Sequence, residues 1–293
     1  MNLKSGFYYS QSFTYICVMS FFKKTLDFYI YSNLHIAVSA LCLVKITLLT
    51  NGVEENKTPL FVFLSTIVAY NFIRFYRMSD IVNWFTNWMA EFKNVLFVIS
   101  AVSIIFASFL AIQFQLKALL YLIPFALLTF FYGFPLPFKK IPLRNVPGIK
   151  LFVIGFSFAG VTVIFPLVQN DISLSINHWL TFIQRFLFII LITIPFDIRD
   201  LHCDMKSLNT LPQRFGVKKA KMIGVLYAIF FVVLEFFKQP IDDIQLIIGL
   251  IVILISTVFL IFSKEKQSKY FSAFWVESLP IFWFLLIFIG LNM

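Results

Sequence analysis

Charge is what this sequence has least of. Only 13% of its 293 residues are Asp, Glu, Lys or Arg against 60% hydrophobic, too few to cover the water-exposed surface of a soluble globule. Cysteine is sparse as well: Cys17, Cys42 and Cys203 lie far apart without metal-ligand spacing, which implies neither a disulfide framework nor a thiolate metal site. Polar alternation is missing. A transmembrane barrel would show alternating segments of about ten residues, whereas these runs are continuously apolar. The apolar patch from Phe13 to Phe22 is followed by Lys23 and Lys24 and by no small-residue cleavage site, so it reads as an interfacial arm. No inverted repeat with paired interrupted helices marks a transporter's midplane site. The Asp-Gly-x-x-Ala-Arg pattern of phosphatidyl-alcohol transferases is also absent.

What remains is a helical membrane protein. Runs near or above the ~18–20 residues needed to cross the hydrocarbon layer recur along the chain. They fall near 28–49, 59–76, 94–112, 118–133, 150–168, 179–196, 222–238, 244–262 and 273–291. The expectation is an all-α bundle of about nine transmembrane helices, with residues 1–27 as an arm and 28–293 as one domain. Net charge of +10 raises the question of nucleic acid, and the distribution of the basic residues answers it. With a cytoplasmic N-terminus, that side collects Lys4, Lys23 and Lys24, then Arg74, Arg77 and Lys93, then Lys139, Lys140, Arg144 and Lys150. It also collects Arg199, Lys206, Arg214, Lys218, Lys219 and Lys221, and finally Lys264, Lys266 and Lys269. The opposite side has only Lys57, Lys117 and Lys238. This asymmetry orients the bundle by the positive-inside rule and places the C-terminus on the far side. The partner implied by the charge is the lipid headgroup, not nucleic acid.

One polar stretch carries chemistry. It reads Pro195-Phe196-Asp197-Ile198-Arg199-Asp200-Leu201-His202-Cys203-Asp204, followed by Thr210-Leu211-Pro212 and Gly216, at the cytoplasmic end of the sixth segment. If the helix continues past Pro195, Asp197, Asp200 and Asp204 are spaced i, i+3, i+7 on one face. Three converging carboxylates call for a cation, and hard oxygen ligands in partial number suit Mg²⁺ completed by water and phosphate oxygens. The competing reading is a solvated loop whose acids are balanced by Arg199, Lys206 and the later lysines. Spacing alone does not choose between them.

The run from Asp197 to Gly216 resembles the second acidic motif of UbiA-type prenyltransferases, Asp-Ile-Arg-Asp-x-x-x-Asp followed by Thr-Leu-Pro and Gly. A Tyr with Pro and Lys after helix four is a further family element, matched here by Tyr132-Gly133-Phe134-Pro135-Leu136-Pro137-Phe138-Lys139-Lys140. The resemblance implies Mg²⁺ held against a prenyl diphosphate by Asp197, Asp200 and Asp204, and transfer of the prenyl group to an aromatic or other lipophilic acceptor. The family's first acidic motif, Asn-Asp-x-x-Asp-x-x-x-Asp after helix two, is replaced by Asn71-Phe72-Ile73-Arg74-Phe75-Tyr76-Arg77-Met78-Ser79-Asp80. Asn71 fits, but Phe72, Phe75 and Ser79 stand where carboxylates belong, and Asp80 is one residue late. One metal site rather than two is therefore expected.

Asn71, Arg74, Arg77, Tyr132, Lys139 and Arg199 are the expected substrate-binding residues. Arg74 and Arg77 together carry the charge of the lost ion and can grip phosphate bidentately, unless they are anchors that snorkel to the headgroups. Asn33 and His35 either line a cavity or pack helices. Arg185 and Glu235 either pair or reach the interface. Gly155, Ala159 and Gly160 form a small-residue stripe suited to close helix packing. The 40 phenylalanines can line an isoprenoid channel and face a carbocation with π density. The non-enzymatic alternative is a chain that binds an isoprenoid or quinone-like lipid without transferring it, or serves as a membrane assembly partner.

Overall fold

The computed structural model describes residues 22–76, 84–137, 141–205 and 208–292. Among these, the long elements are all helical: α1 (Phe22–Tyr31), α2 (Leu34–Leu49), α3 (Lys57–Tyr76), α4 (Trp84–Glu91), α5 (Lys93–Ala111) and α6 (Leu116–Gly133). They continue with α7 (Lys150–Gln169), α8 (Ile176–Arg199), α9 (Leu211–Glu235), α10 (Asp243–Phe262) and α11 (Phe271–Leu291). Seven of them are individually long and apolar enough to cross a membrane, and α1 with α2 makes an eighth as a pair bent by 59°. The ninth expected crossing is α9, whose entry carries Lys218, Lys219 and Lys221 and is too charged to join that set. Beyond the kink at Gly216, the helix from Val217 to Glu235 would extend about 28 Å at 1.5 Å per residue.

Local chemistry sets the boundaries. Ser175 and His178 form a reciprocal capping box at the start of α8, as do Thr210 and Gln213 at the start of α9. The chain breaks between α1 and α2 at Asn33, which is left-handed at φ 69°, a conformation that Asn tolerates. Gly216 gives the motif's glycine a reason: at φ +79° and ψ 160° it kinks α9 where a side chain would be strained.

The helices close a ring, with α2 on α3, α3 on α6, and α6 to α11 each packed on the next until α11 returns to α2. Helix α5 leans on α3 from outside and does not pack along α6. Burial follows from this order, at 72% of the apolar window of α7 but only 22% of that of α5 and 17% of that of α6. Phe97, Ile105 and Phe109 of α5 accordingly present bare hydrocarbon to the bilayer. The small-residue stripe packs as expected. A Cβ on Gly160 would fall 2.2 Å from the Phe125 ring, and one on Gly155 would meet Phe186 at 3.0 Å.

At Gly160 α7 widens into a π turn through Ile164, and Pro166 follows. Proline has no N–H to offer the carbonyl four residues back, and the Thr162 carbonyl instead accepts from Thr47 Oγ1 at 2.7 Å. Arg185 stands beside that bond and is 1% exposed. Its guanidinium donates to the Leu43 carbonyl at 3.1 Å and lies 4.8 Å from the Trp283 ring centroid. It does not pair with Glu235, which instead accepts from Lys238 at 2.9 Å and Gln184 at 2.7 Å. Both residues are held inside the bundle, so the snorkelling reading does not apply to either.

Candidate functional site

Helix α8 does run past Pro195, but only to Arg199, with Asp200 as its C-cap. The following residues close a turn, in which the Cys203 and Asp204 amides donate to the Asp200 carbonyl at 2.9 and 2.8 Å. The common face expected for the three aspartates is therefore lost. Asp200 turns to its neighbour and receives both arms of Arg199, at 2.7 and 2.9 Å. Asp197 and Asp204 converge, and what lies between them is Lys150 at the first position of α7. Its Nζ is 2.7 Å from Asp197 Oδ1 and 3.2 Å from Asp204 Oδ2. The Asp197 side chain is wholly enclosed, while those of Lys150 and Asp204 retain 18% and 13% exposure. The loops that carry this cluster are tied together by the Gly148 amide, which donates to the Leu208 carbonyl at 3.1 Å.

An apolar cavity of about 540 Å³ opens between α2, α3, α5, α6 and α7. Phe72, Phe130, Phe158 and Tyr70 contribute aromatic surface to it, and Ser157 and Thr129 contribute scattered hydroxyls. Its volume lies within the range of small-molecule sites. Phe72 thus does more than remove a ligand: it faces the cavity, stacked on Phe130 at 6.0 Å between centroids. Tyr70 lines the cavity and lies within electrostatic range of Glu277, Tyr132 and Arg74. Tyr132 in turn lies in range of Lys150.

The other expected residues divide. Arg74 points inward, donating to the Tyr31 carbonyl at 3.0 Å, so it is not a headgroup anchor. Asn71 is engaged in packing: it accepts from Asn33 Nδ2 at 2.6 Å, donates to Ser100 at 2.9 Å and does not line the cavity. His35 likewise joins helices, through Tyr29 and the Phe274 carbonyl, both at 3.0 Å. Arg77 and Lys139 lie outside the described residues. Two participants are not identified by sequence. Lys150, with Lys139, Lys140 and Arg144, reads from sequence as either a phosphate contact or a headgroup anchor, and nothing there pairs it with Asp197 and Asp204. Glu277, in range of both Arg74 and Arg199, is a lone acid within an apolar segment, and that alone is a signal worth following. Nearby, Tyr270 and Lys269 fasten α11 to α1 by donating to Asp27 at 2.7 and 2.8 Å. Burial, reinforced by the Asp27 carboxylate, pushes the Tyr270 phenol up to about 12.

Among the described residues no three His, Cys, Asp or Glu side chains are grouped to hold a metal. Two carboxylates are nevertheless close together, and Asp197 Oδ2 is buried with no hydrogen-bond partner. An orphaned acceptor of this kind fits one cation. Mg²⁺ in particular is commonly bound by one or two carboxylates plus substrate phosphates and water. On α3, Phe72 and Phe75 provide nothing for a second ion. Among the described residues the donor set of Asp197 and Asp204 fits a divalent cation such as Mg²⁺.

No protein-family model and no curated protein matches the sequence. Solved structures do. A UbiA homologue from Archaeoglobus fulgidus bound to GPP and Mg²⁺ superposes with a TM-score of 0.64 at 12% identity, over 90% of this chain and 100% of that one. A structure of a UbiA homologue from the same organism bound to DMAPP and Mg²⁺ gives 0.62 at 13%, over 90% and 99%. The likeness is one of fold: this chain shares the helical architecture of those UbiA homologues.

Proposed function

We propose that this chain is a membrane prenyltransferase that binds a prenyl diphosphate and transfers the prenyl group to an aromatic or other lipophilic acceptor. The observations that carry the reading are the predominantly apolar cavity of about 540 Å³ and the Asp197–Lys150–Asp204 cluster, with Tyr70 of the cavity wall in electrostatic range of Tyr132, and Tyr132 in range of Lys150. A hydrocarbon tail matches the cavity, and an anionic head that brings its own metal matches the cluster. The fold is shared with UbiA homologues bound to GPP and DMAPP with Mg²⁺, which supports the same substrate class.

In this reading Asp197 and Asp204 hold Mg²⁺, which supplies Lewis acidity toward the diphosphate when bound. Lys150, Arg74 and Arg199 contribute fixed positive charge where negative charge grows on the departing diphosphate. The bond from the allylic carbon to the diphosphate oxygen breaks with its electron pair leaving on oxygen. The faces of Phe72, Phe130 and Tyr70 then front the allylic cation, and the apolar walls keep water from it. An electron-rich carbon of the acceptor forms the new bond and loses its proton to the departed diphosphate. In this reading a lipophilic acceptor enters from the bilayer between α5 and α6, which do not pack along one another.

A second reading, binding without transfer, is favoured by Phe72 and Phe75 on α3, which remove the carboxylates of one metal site. The decisive measurement is purified protein in nanodiscs with Mg²⁺ and a panel of prenyl diphosphates, following direct binding and diphosphate release. Binding with acceptor-dependent release supports transfer. Binding without release under any acceptor supports the second reading, and no binding at all overturns both.

A further inference from the structure

We propose that Lys150 is an internal counter-cation that keeps a divalent ion off Asp197 and Asp204 until a diphosphate arrives, so that metal and diphosphate bind only together. The proposal rests on the prenyl diphosphate reading for the identity of the second ligand. It takes its own force from the geometry of the ammonium.

Lys150 Nζ holds one oxygen of each carboxylate, 2.7 Å from Asp197 and 3.2 Å from Asp204. These are the oxygens a metal needs. An ion arriving alone must displace the ammonium, leaving it in a pocket where its side chain is only 18% exposed and, among the described residues, no other carboxylate is within ion-pair distance. Stranding a desolvated cation beside a dication is unfavourable on both counts. A diphosphate changes the balance. It brings several acceptor oxygens, and the ammonium, a point charge with three donors on a flexible four-carbon stem, can move to them without being left unpaired. The α-carbon of Lys150 stays in place, because the Gly148–Leu208 bond fixes the entry to α7. Only the stem has to turn.

The side chain of Asp197 is already prepared for the exchange. One oxygen is held by Lys150 and the other, Oδ2, is buried without a partner. It is a carboxylate half satisfied by the internal cation. By linkage, whatever factor the diphosphate adds to metal affinity, the metal adds to diphosphate affinity. Removing the ammonium should abolish that mutual dependence while exposing both carboxylates to metal.

The test uses Mn²⁺ as the probe, measured by equilibrium dialysis and electron paramagnetic resonance on full-length protein in nanodiscs. Wild type should bind Mn²⁺ weakly alone and about tenfold or more tightly with inorganic pyrophosphate or geranyl diphosphate, a factor typical of linked sites. Lys150→Gln should bind Mn²⁺ tightly without either ligand, and Lys150→Arg, which retains the charge, should exclude it as wild type does. Tight Mn²⁺ binding by wild type without diphosphate overturns the proposal, and so does equal Mn²⁺ affinity in wild type and Lys150→Gln. Should Lys150→Gln fail to fold, the wild-type comparison with and without pyrophosphate still decides. Failure of geranyl diphosphate to bind any variant would count against the prenyl diphosphate reading, whereas the Mn²⁺ comparison without ligand bears on Lys150 alone.

Discussion

The enclosed ion pair between Lys150 and Asp197 makes a quantitative claim about stability. Lys150→Met leaves Asp197 as a carboxylate with no exposed surface and no cationic partner, and breaking a buried pair in this way costs about 3–5 kcal/mol. Asp197→Leu is less severe. It leaves Lys150 with 18% exposure and with Asp204 still at 3.2 Å, so the cost should fall near the lower limit, about 3 kcal/mol. If the two effects were independent, the double variant would lose about 6–8 kcal/mol. Removing both charges together instead leaves an apolar contact between α7 and α8, with only the partly exposed Asp204 deprived of its cation, and should cost about 1–3 kcal/mol. The implied coupling is roughly 3–7 kcal/mol, within the range measured for close charge pairs. Unfolding by sodium dodecyl sulfate in mixed micelles, followed by tryptophan fluorescence, would measure all four proteins. A double variant that falls within ~0.5 kcal/mol of the additive value would show that Lys150 and Asp197 do not act as a pair and would refute the reasoning.

Three further outcomes are expected. Gly160→Ala should destabilise by about 1–3 kcal/mol, because its Cβ lands on the Phe125 ring, and Phe125→Leu in the same chain should recover most of the loss; no recovery would place the strain elsewhere. Arg185→Leu should be neutral or stabilising by up to ~4 kcal/mol, since no carboxylate lies within ion-pair distance among the described residues. Arg185→Lys should be worse than Arg185→Leu, because it keeps the charge and loses the fork and the Trp283 face; the reverse order in the same denaturation assay would argue that the charge itself is needed. Cysteines introduced at positions 200 and 242 should label from opposite sides of a sealed vesicle, and labelling from one side would overturn the orientation drawn from the positive residues.

The apolar runs made the helices legible because a bilayer leaves few other ways to satisfy a backbone. The break at Asn33 was not legible, since one polar residue within an apolar run gives no sign of a left-handed backbone. Asn71 shows a different limit. Its position matched the resemblance, yet the side chain is claimed by Asn33 and Ser100, and sequence does not reveal which neighbours compete for an amide. The aspartates of the second motif were found from their spacing and the resemblance. Their partner was not, because Lys150 stands 47 residues before Asp197 and meets it only through the packing of α7 on α8. Phe72 and Phe75 were read as a loss of metal ligands, and only the fold shows Phe72 contributing to a cavity wall.

The π turn from Gly160 to Ile164 also sets a phase. Residues before it, including Lys150, Ser157 and Phe158, and those after it, including Pro166 and Leu167, belong to two helical screws joined by a locally widened turn. Deleting one residue from the turn would restore an uninterrupted α-helix and could look harmless, or even beneficial, when judged by hydrogen bonds alone. It would also rotate the leading half against the trailing half by about 100°, one residue's share of a 3.6-residue turn. Lys150 would then swing away from Asp197, and Ser157 and Phe158 away from the cavity. The irregularity in the helix is thus the clocking that aligns the ammonium with its carboxylates, set by residues more than two turns from either.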